Sequence, residues 1–277
     1  MSGWVETSFR SWDGTRIFYR FFPSFGARHT VIMVHGFGEH SGRYERFPTQ
    51  MKGLVAQFAV MDLRGMGRSE GARGTVNAFG DYLRDLSAFV DHLRAEQAIP
   101  KQFILFGHSM GGLVALTWAI KNPQGVRMLI LSAPFLGLAG GGVLGILNRI
   151  ILLVAPRFIY KNPVRSGSLS HDPAEIAAHR GDPLILRFIS AQLIKELLAS
   201  MARLQMQPIL SVPFPVHMFI AGEERVVDPA ASCRVYERLV APYKERTKFD
   251  GFFHEIFHER DQLRAFKVLK TTIEDCV

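Results

Sequence analysis

The sequence predicts an α/β fold, a mostly parallel central sheet flanked by helices. Short β-branched or aromatic runs alternate along the chain with longer stretches of helical period, the order produced when crossover helices join successive strands. The runs are also nearly unbroken in apolar residues, as strands covered on both faces require. A third observation is a break in the alternation. Residues 136–206 follow a helical pattern without a strand-like run, which marks them as a helical cap inserted after strand 6, the one at Met128–Leu131.

In chain order, Ile17-Phe-Tyr-Arg-Phe-Phe22 follows Asp13-Gly14, a hairpin-turn dipeptide. Val31–Val34, Phe58–Met61, Phe103–Phe106, Met128–Leu131 and Val216–Ile220 are the buried strands, and a weaker one lies near Thr247–Phe249. Between them, residues 78–97 form an amphipathic helix whose apolar face carries Phe79, Tyr82, Leu83, Leu86, Phe89, Val90 and Leu93. Further helices are expected at 112–121, 229–240 and 261–274. The division that follows is a core of 1–135 and 207–277 with a cap of 136–206, placed over the carboxyl ends of the strands, where open α/β sheets hold their sites.

Composition narrows the function classes. Of 277 residues, 48% are hydrophobic and 21% charged, which excludes disordered, collagenous and simple coiled-coil chains. Two cysteines, Cys233 and Cys276, support neither a disulfide framework nor a four-cysteine zinc site, and suit a reducing compartment. The polar start has no apolar run of signal-peptide type, and the apolar stretch 133–147 is too short to span a bilayer. The expected location is cytoplasmic, with membrane association through the cap as an added possibility. Thirty-three basic against 25 acidic residues leave a net charge of +8. The basic side chains are scattered, however, so the expectation is a solvated basic surface with no nucleic-acid partner.

The sharpest motif is Gly107-His108-Ser109-Met110-Gly111. It follows the Phe103–Phe106 run and opens a helix, the strand–turn–helix setting in which G-x-S-x-G holds a nucleophilic serine above a sheet. A nucleophile needs a base, a carboxylate to orient that base, and amide donors for the oxyanion. Five histidines follow Ser109. His171 and His179 fall in the cap and His217 lies within a strand. His254 follows the last strand in a loop able to fold back, and His258 is expected to be a surface or packing residue. No Asp or Glu occurs between Ser109 and Asp172, so the acid must come from the loop after Val216–Ile220. Asp228 precedes Pro229 in a helix-capping pattern. Glu223 and Glu224 remain, and Glu224, one residue deeper into the loop and with a long side chain, is the expected acid, with Asp228 as the alternative. Met110 N–H and, from the His35-Gly-Phe-Gly38 turn, Phe37 N–H are the expected oxyanion donors.

His254-Glu255-Ile256-Phe257-His258 also matches H-E-x-x-H, the zinc-peptidase helix. Gly251 and two phenylalanines directly before it leave little helix to carry that motif, so no metal and no cofactor are expected.

His35-Gly-Phe-Gly-Glu-His-Ser-Gly-Arg-Tyr44, Asp62-Leu-Arg-Gly-Met-Gly-Arg-Ser-Glu-Gly71, Gly107-His-Ser-Met-Gly-Gly112 and the His254 loop together resemble the α/β-hydrolase superfamily. The resemblance is closest to its monoacylglycerol lipase and lysophospholipase branch. It implies cofactor-independent hydrolysis of a lipid carboxylic ester beneath a helical cap, and it supports the roles given to Ser109, His254, Phe37 and Met110. The acid loop departs from the family pattern. Gly222-Glu-Glu-Arg-Val-Val-Asp228 is one residue shorter than usual, with Glu224 in the place before Arg225. The expected substrate is a monoacylglycerol. A carboxylesterase, lysophospholipase, thioesterase or acyltransferase would carry the same residues, and a non-catalytic binding protein is the rival from another class. The apolar segment Val143–Val154, with Arg149 inside it, is expected to be the cap's own packing face; a membrane-docking face and an acyl-tunnel wall are the other readings.

Overall fold

A computed structural model describes residues 3–23, 29–138 and 141–276, with the side chains of 141, 142 and 276 also outside the description. The reading of the first residues, the middle of the 133–147 stretch and the Cys276 thiol fall wholly or partly beyond it.

The elements in chain order begin with strands β1 (Val5–Arg10), β2 (Arg16–Pro23) and β3 (His29–Val34), the short helix α1 (Phe47–Gln50) and β4 (Val55–Met61). Helix α2 (Gly80–Ala95), β5 (Phe103–His108), α3 (Met110–Lys121) and β6 (Val126–Ser132) follow. Next come α4 (Gly141–Val154), β7 (Ile159–Lys161), α5 (Pro173–Gly181), β8 (Phe188–Ser190), α6 (Ala191–Met206) and β9 (Leu210–Ser211). The chain closes with β10 (Val216–Ala221), α7 (Pro229–Arg238), β11 (Leu239–Val240), β12 (Lys244–Phe249) and α8 (Gln262–Cys276). Eight strands form one sheet in the order β1-β2-β4-β3-β5-β6-β10-β12. Pairing is antiparallel for β1–β2 and β2–β4 and parallel from β4 to β12.

Successive side chains of a strand point to opposite faces. Along β3, Ile32 and Val34 therefore enter the layer beneath α2 and α3, where they meet Leu86, Leu113 and Leu116. Val31 and Met33 enter the other layer, with Phe47 of α1 and Phe266 and Leu269 of α8. This two-sided burial is the physical cause of the continuous apolar runs.

Three features of the secondary structure differ from the sequence-based expectation. Strand β1 was not expected. Its residues are mostly exposed and it is held by antiparallel register to β2, across a turn in which Ser11 N–H donates to Thr15 O at 2.8 Å and Gly14 adopts φ +83°. Residues 136–206 are not wholly helical: β7 and β8 pair as an antiparallel ribbon, Tyr160 opposite Ile189. Helix α7 stops at Arg238, and Leu239–Val240 instead pair with β9.

The apolar segment 143–154 also departs from its expected role as packing surface. Val143, Ile146, Leu147, Ile150, Leu153 and Val154 of α4 are between 54% and 84% exposed. The helix is anchored by Asn148, whose Nδ2 donates to Ala191 O at 2.8 Å and whose Oδ1 accepts from Tyr160 Oη at 2.9 Å.

Candidate active site

The turn between β5 and α3 places Ser109 where a strand must become a helix without an intervening loop. Ser109 adopts φ 52° and ψ −120°, a conformation that costs a non-glycine residue on the order of 1–3 kcal/mol. Its backbone is held on both sides: Ser109 N–H donates to Ser132 O at 3.0 Å, and Ser109 O accepts from Phe135 N–H at 2.9 Å. A side chain at Gly111 would meet Val34 O at 2.1 Å, so α3 can approach β3 this closely only through a glycine.

The loop after β12 returns toward this turn. Ser109 Oγ lies 2.9 Å from His254 Nε2, across 145 positions of sequence. His254 Nδ1 lies 2.8 Å from Glu224 Oε2. The other oxygen of Glu224 accepts from Val226 N–H at 2.7 Å and Val227 N–H at 3.2 Å, which fixes the carboxylate within its loop. Burial works to raise the Glu224 pKa, but His254 and the two amides outweigh it and hold the group below its ordinary value. Arg225 packs over the Phe253 ring, 3.7 Å from its centroid, and ties the acid loop to the histidine loop.

The other candidates have hydrogen-bond or ionic partners other than Ser109 and His254. Asp228 accepts from Ala230 N–H at 2.9 Å as the cap of α7 and pairs with Arg234. Glu223 is exposed beside Arg225. His171 contacts Glu259 and the Phe253 ring, His179 contacts Ser166 Oγ, and His217 is buried in the sheet beside Thr247. His258 is buried, with Nε2 2.9 Å from Arg43 O. The H-E-x-x-H stretch is not helical as a zinc site would require; it runs from a bend at His254 into a single 3₁₀ turn at Ile256–His258. Among the described residues, no group of three or more His, Cys, Asp or Glu is arranged to hold a metal ion.

Ser109, His254, Phe37 and Met110 line one cavity. One wall is apolar, with Phe135, Leu138, Leu144, Ile194, Leu197 and Leu198, and most of it comes from residues 136–206. A polar portion is formed by Asn162, His179 and Glu255. His108 lies behind the site, its ring centroid 5.0 Å from that of His254. Burial depresses its pKa to about 4, so it is neutral near pH 7.

A family model described as serine aminopeptidase, S33 (Hydrolase_4) matches residues 26–261. The chain belongs to this family. As an S33-family α/β-hydrolase it is similar to the human monoglyceride lipase, 30% identical over 254 residues that make up 89% of this chain and 82% of that one. It is also similar to the uncharacterized protein YnbC of Escherichia coli, 27% identical over 277 residues. That alignment covers 97% of this chain but only 46% of the longer protein, so the hydrolase spans about half of that relative's length. In fold it matches a soluble variant of the Saccharomyces cerevisiae monoglyceride lipase crystallised with a substrate analog. The TM-score is 0.86 at 22% identity, over 100% of this chain and 95% of that one.

Sequence reasoning did not single out His179, Glu39, Arg43 or Glu255 as parts of the site. The Glu39–Arg43 spacing of four residues was a visible charge pair, but nothing local showed that it would be buried beside the serine turn.

Proposed function

We propose that this hydrolase cleaves carboxylic esters of lipids, monoacylglycerols first among them, and releases glycerol and a fatty acid through an acyl-enzyme on Ser109. The observation that carries the proposal is the continuous line from Ser109 Oγ through the His254 ring to Glu224 Oε2, at 2.9 Å and 2.8 Å, opening on a largely apolar cavity.

In the proposed mechanism Ser109 Oγ attacks the ester carbonyl as His254 Nε2 takes its proton. Glu224 keeps the imidazole oriented and stabilises its charged form. The amides of Phe37 and Met110 bind the developing oxyanion, a contribution of about 3–4 kcal/mol per donor in well-studied hydrolases. His254 then protonates the departing alcohol, and water, activated by the same ring, releases the acid. This chemistry calls for no cofactor and no metal.

Residues 136–206 act in this reading as a cap on a core of 1–135 and 207–277. The apolar wall suits an acyl chain, and the polar portion near His179 and Asn162 suits the hydroxyls of a glycerol head group. The name of the human relative supports the same substrate class.

The cap also supplies a docking face for lipid surfaces. Its exposed α4 residues sit in a stretch, 136–171, that holds Arg149, Arg157, Lys161 and Arg165 and no acidic residue. Apolar area combined with positive charge is what binds anionic bilayers. No described helix is long and apolar enough to cross a membrane.

Ser109→Ala should abolish both p-nitrophenyl ester hydrolysis and labelling by a fluorophosphonate probe; retention of either overturns the nucleophile. A substrate series across mono-, di- and triglycerides, lysophospholipids and acyl thioesters should give the highest kcat/KM on monoglycerides. A higher value on another class moves the head-group assignment.

A further inference from the structure

The H-E-x-x-H stretch has a use unconnected with zinc. Glu255 follows His254 directly, and its side chain enters a buried ionic cluster. Glu255 Oε2 accepts from Arg43 Nη2 at 2.5 Å and lies 3.7 Å from His258 Nδ1. Arg43 in turn faces a second buried carboxylate, with its Nε 3.5 Å from Glu39 Oε2. These two atoms are buried without a hydrogen-bond partner among the described residues, so the link between Glu39 and Arg43 is one of charge.

Glu39 then reaches the turn that carries the expected oxyanion donor. Its Oε1 accepts from Gly36 N–H at 2.5 Å and from Tyr44 Oη at 2.9 Å. A Cβ at Gly36 would lie 2.7 Å from that oxygen and 3.1 Å from Ser109 Cβ, so turn, carboxylate and serine share one tightly filled space. The guanidinium is thus held between two carboxylates on two loops. One binds the amide next to Phe37, and the other belongs to the residue next to His254. The side chains of Glu39, Arg43 and Glu255 are each at most 8% exposed. A buried charge stays stable only while its partners keep their places, so a shift of either loop is resisted through Arg43.

We propose that Glu255, acting through Arg43 and Glu39, is a positioning residue that sets the distance between His254 and the Phe37 amide around Ser109. The proposal rests on the roles given above to Ser109, His254 and Phe37. A planar guanidinium can present Nη2 to one carboxylate and Nε to the other, and a lysine point charge cannot span both in the same way.

The test is Glu255→Gln, which keeps the shape and removes the charge, beside Arg43→Lys and the double variant. Each is assayed for kcat and KM on p-nitrophenyl butyrate and for affinity toward a trifluoromethyl ketone that adds to the serine as a tetrahedral mimic. The expected result for Glu255→Gln is a 10- to 100-fold lower kcat, KM within twofold, and ketone affinity reduced by the same factor as kcat/KM. The double variant should be no slower than Arg43→Lys. Unchanged kcat and ketone affinity, or losses that multiply in the double variant, would overturn the bridge. Should Glu255→Gln fail to fold, Arg43→Lys alone carries the kcat and ketone comparison. A wild-type protein that resists the fluorophosphonate probe would instead overturn the Ser109 reading, which keeps the two failures distinct.

Discussion

Glu224 Oε2 lies 2.8 Å from His254 Nδ1, while Asp228, four residues further along, spends its carboxylate on the amide of Ala230. Two acids in one loop thus have separable work. Glu224→Gln should lower kcat on the order of 10³–10⁴-fold with little loss of stability, because the imidazole loses its orienting anion. Asp228→Asn should keep most activity, and Asp228→Ala should cost about 1 kcal/mol of stability as a lost helix cap. Steady-state kinetics and thermal unfolding of the three variants check the assignment; a larger activity loss at Asp228 would transfer the role.

Gly111 marks the closest approach of α3 to β3. With Val34 O only 2.1 Å from where a Cβ would stand, Gly111→Ala must push helix from strand or prevent folding. The expected outcome is a loss of more than about 3 kcal/mol, read from denaturant midpoints, well beyond the usual cost of a surface substitution. A variant as stable as the parent would contradict this packing.

His217 gives a pH dependence separate from the site. It is buried in β10, with Thr247 Oγ1 2.9 Å from Nε2 and Glu245 3.6 Å from Nδ1, and burial pushes its pKa down to about 4 from 6.5. The unfolded chain therefore binds a proton that the folded chain refuses over pH 4–6.5. Stability should fall as pH drops through that window, with a slope of up to about 1.4 kcal/mol per pH unit from this group. His108, also held at about 4, adds a second proton. His217→Asn should reduce the slope of unfolding free energy against pH by about one proton; an unchanged slope would show that the ring titrates normally.

The α4 face predicts lipid binding that is independent of the chemistry. Leu153→Asp combined with Val154→Asp should abolish flotation with anionic liposomes while hydrolysis of a soluble short-chain ester stays within twofold. Each changed side chain is 79% or more exposed, so stability should move by no more than about 0.5 kcal/mol per substitution. Undiminished flotation would place the lipid contact elsewhere.

Much of the fold was legible because its signals are local. Val31–Val34 and Phe103–Phe106 are apolar at every position since both faces of the sheet are covered, and Gly107-His-Ser-Met-Gly111 carries its own strain in five residues. β1 was not legible, because its mostly exposed side chains leave no apolar run and its register to β2 holds it. The ribbon between Tyr160 and Ile189 was hidden for a related reason: each of its strands is three residues long. The α4 stripe shows the opposite difficulty. Its period announces an apolar face, but a period cannot say whether another element covers it.

The sequence alone determined which residues are chemically able to act: a serine in a tight turn, five histidines after it and a short acidic loop. Tertiary structure decided which of them meet. Bringing His254 to Ser109 across 145 positions, and Glu255 to Arg43 across 212, depends on where β12 and its loop settle beside β10. Strand order sets such distances, and it follows from the packing of both sheet faces at once rather than from any single stretch of chain.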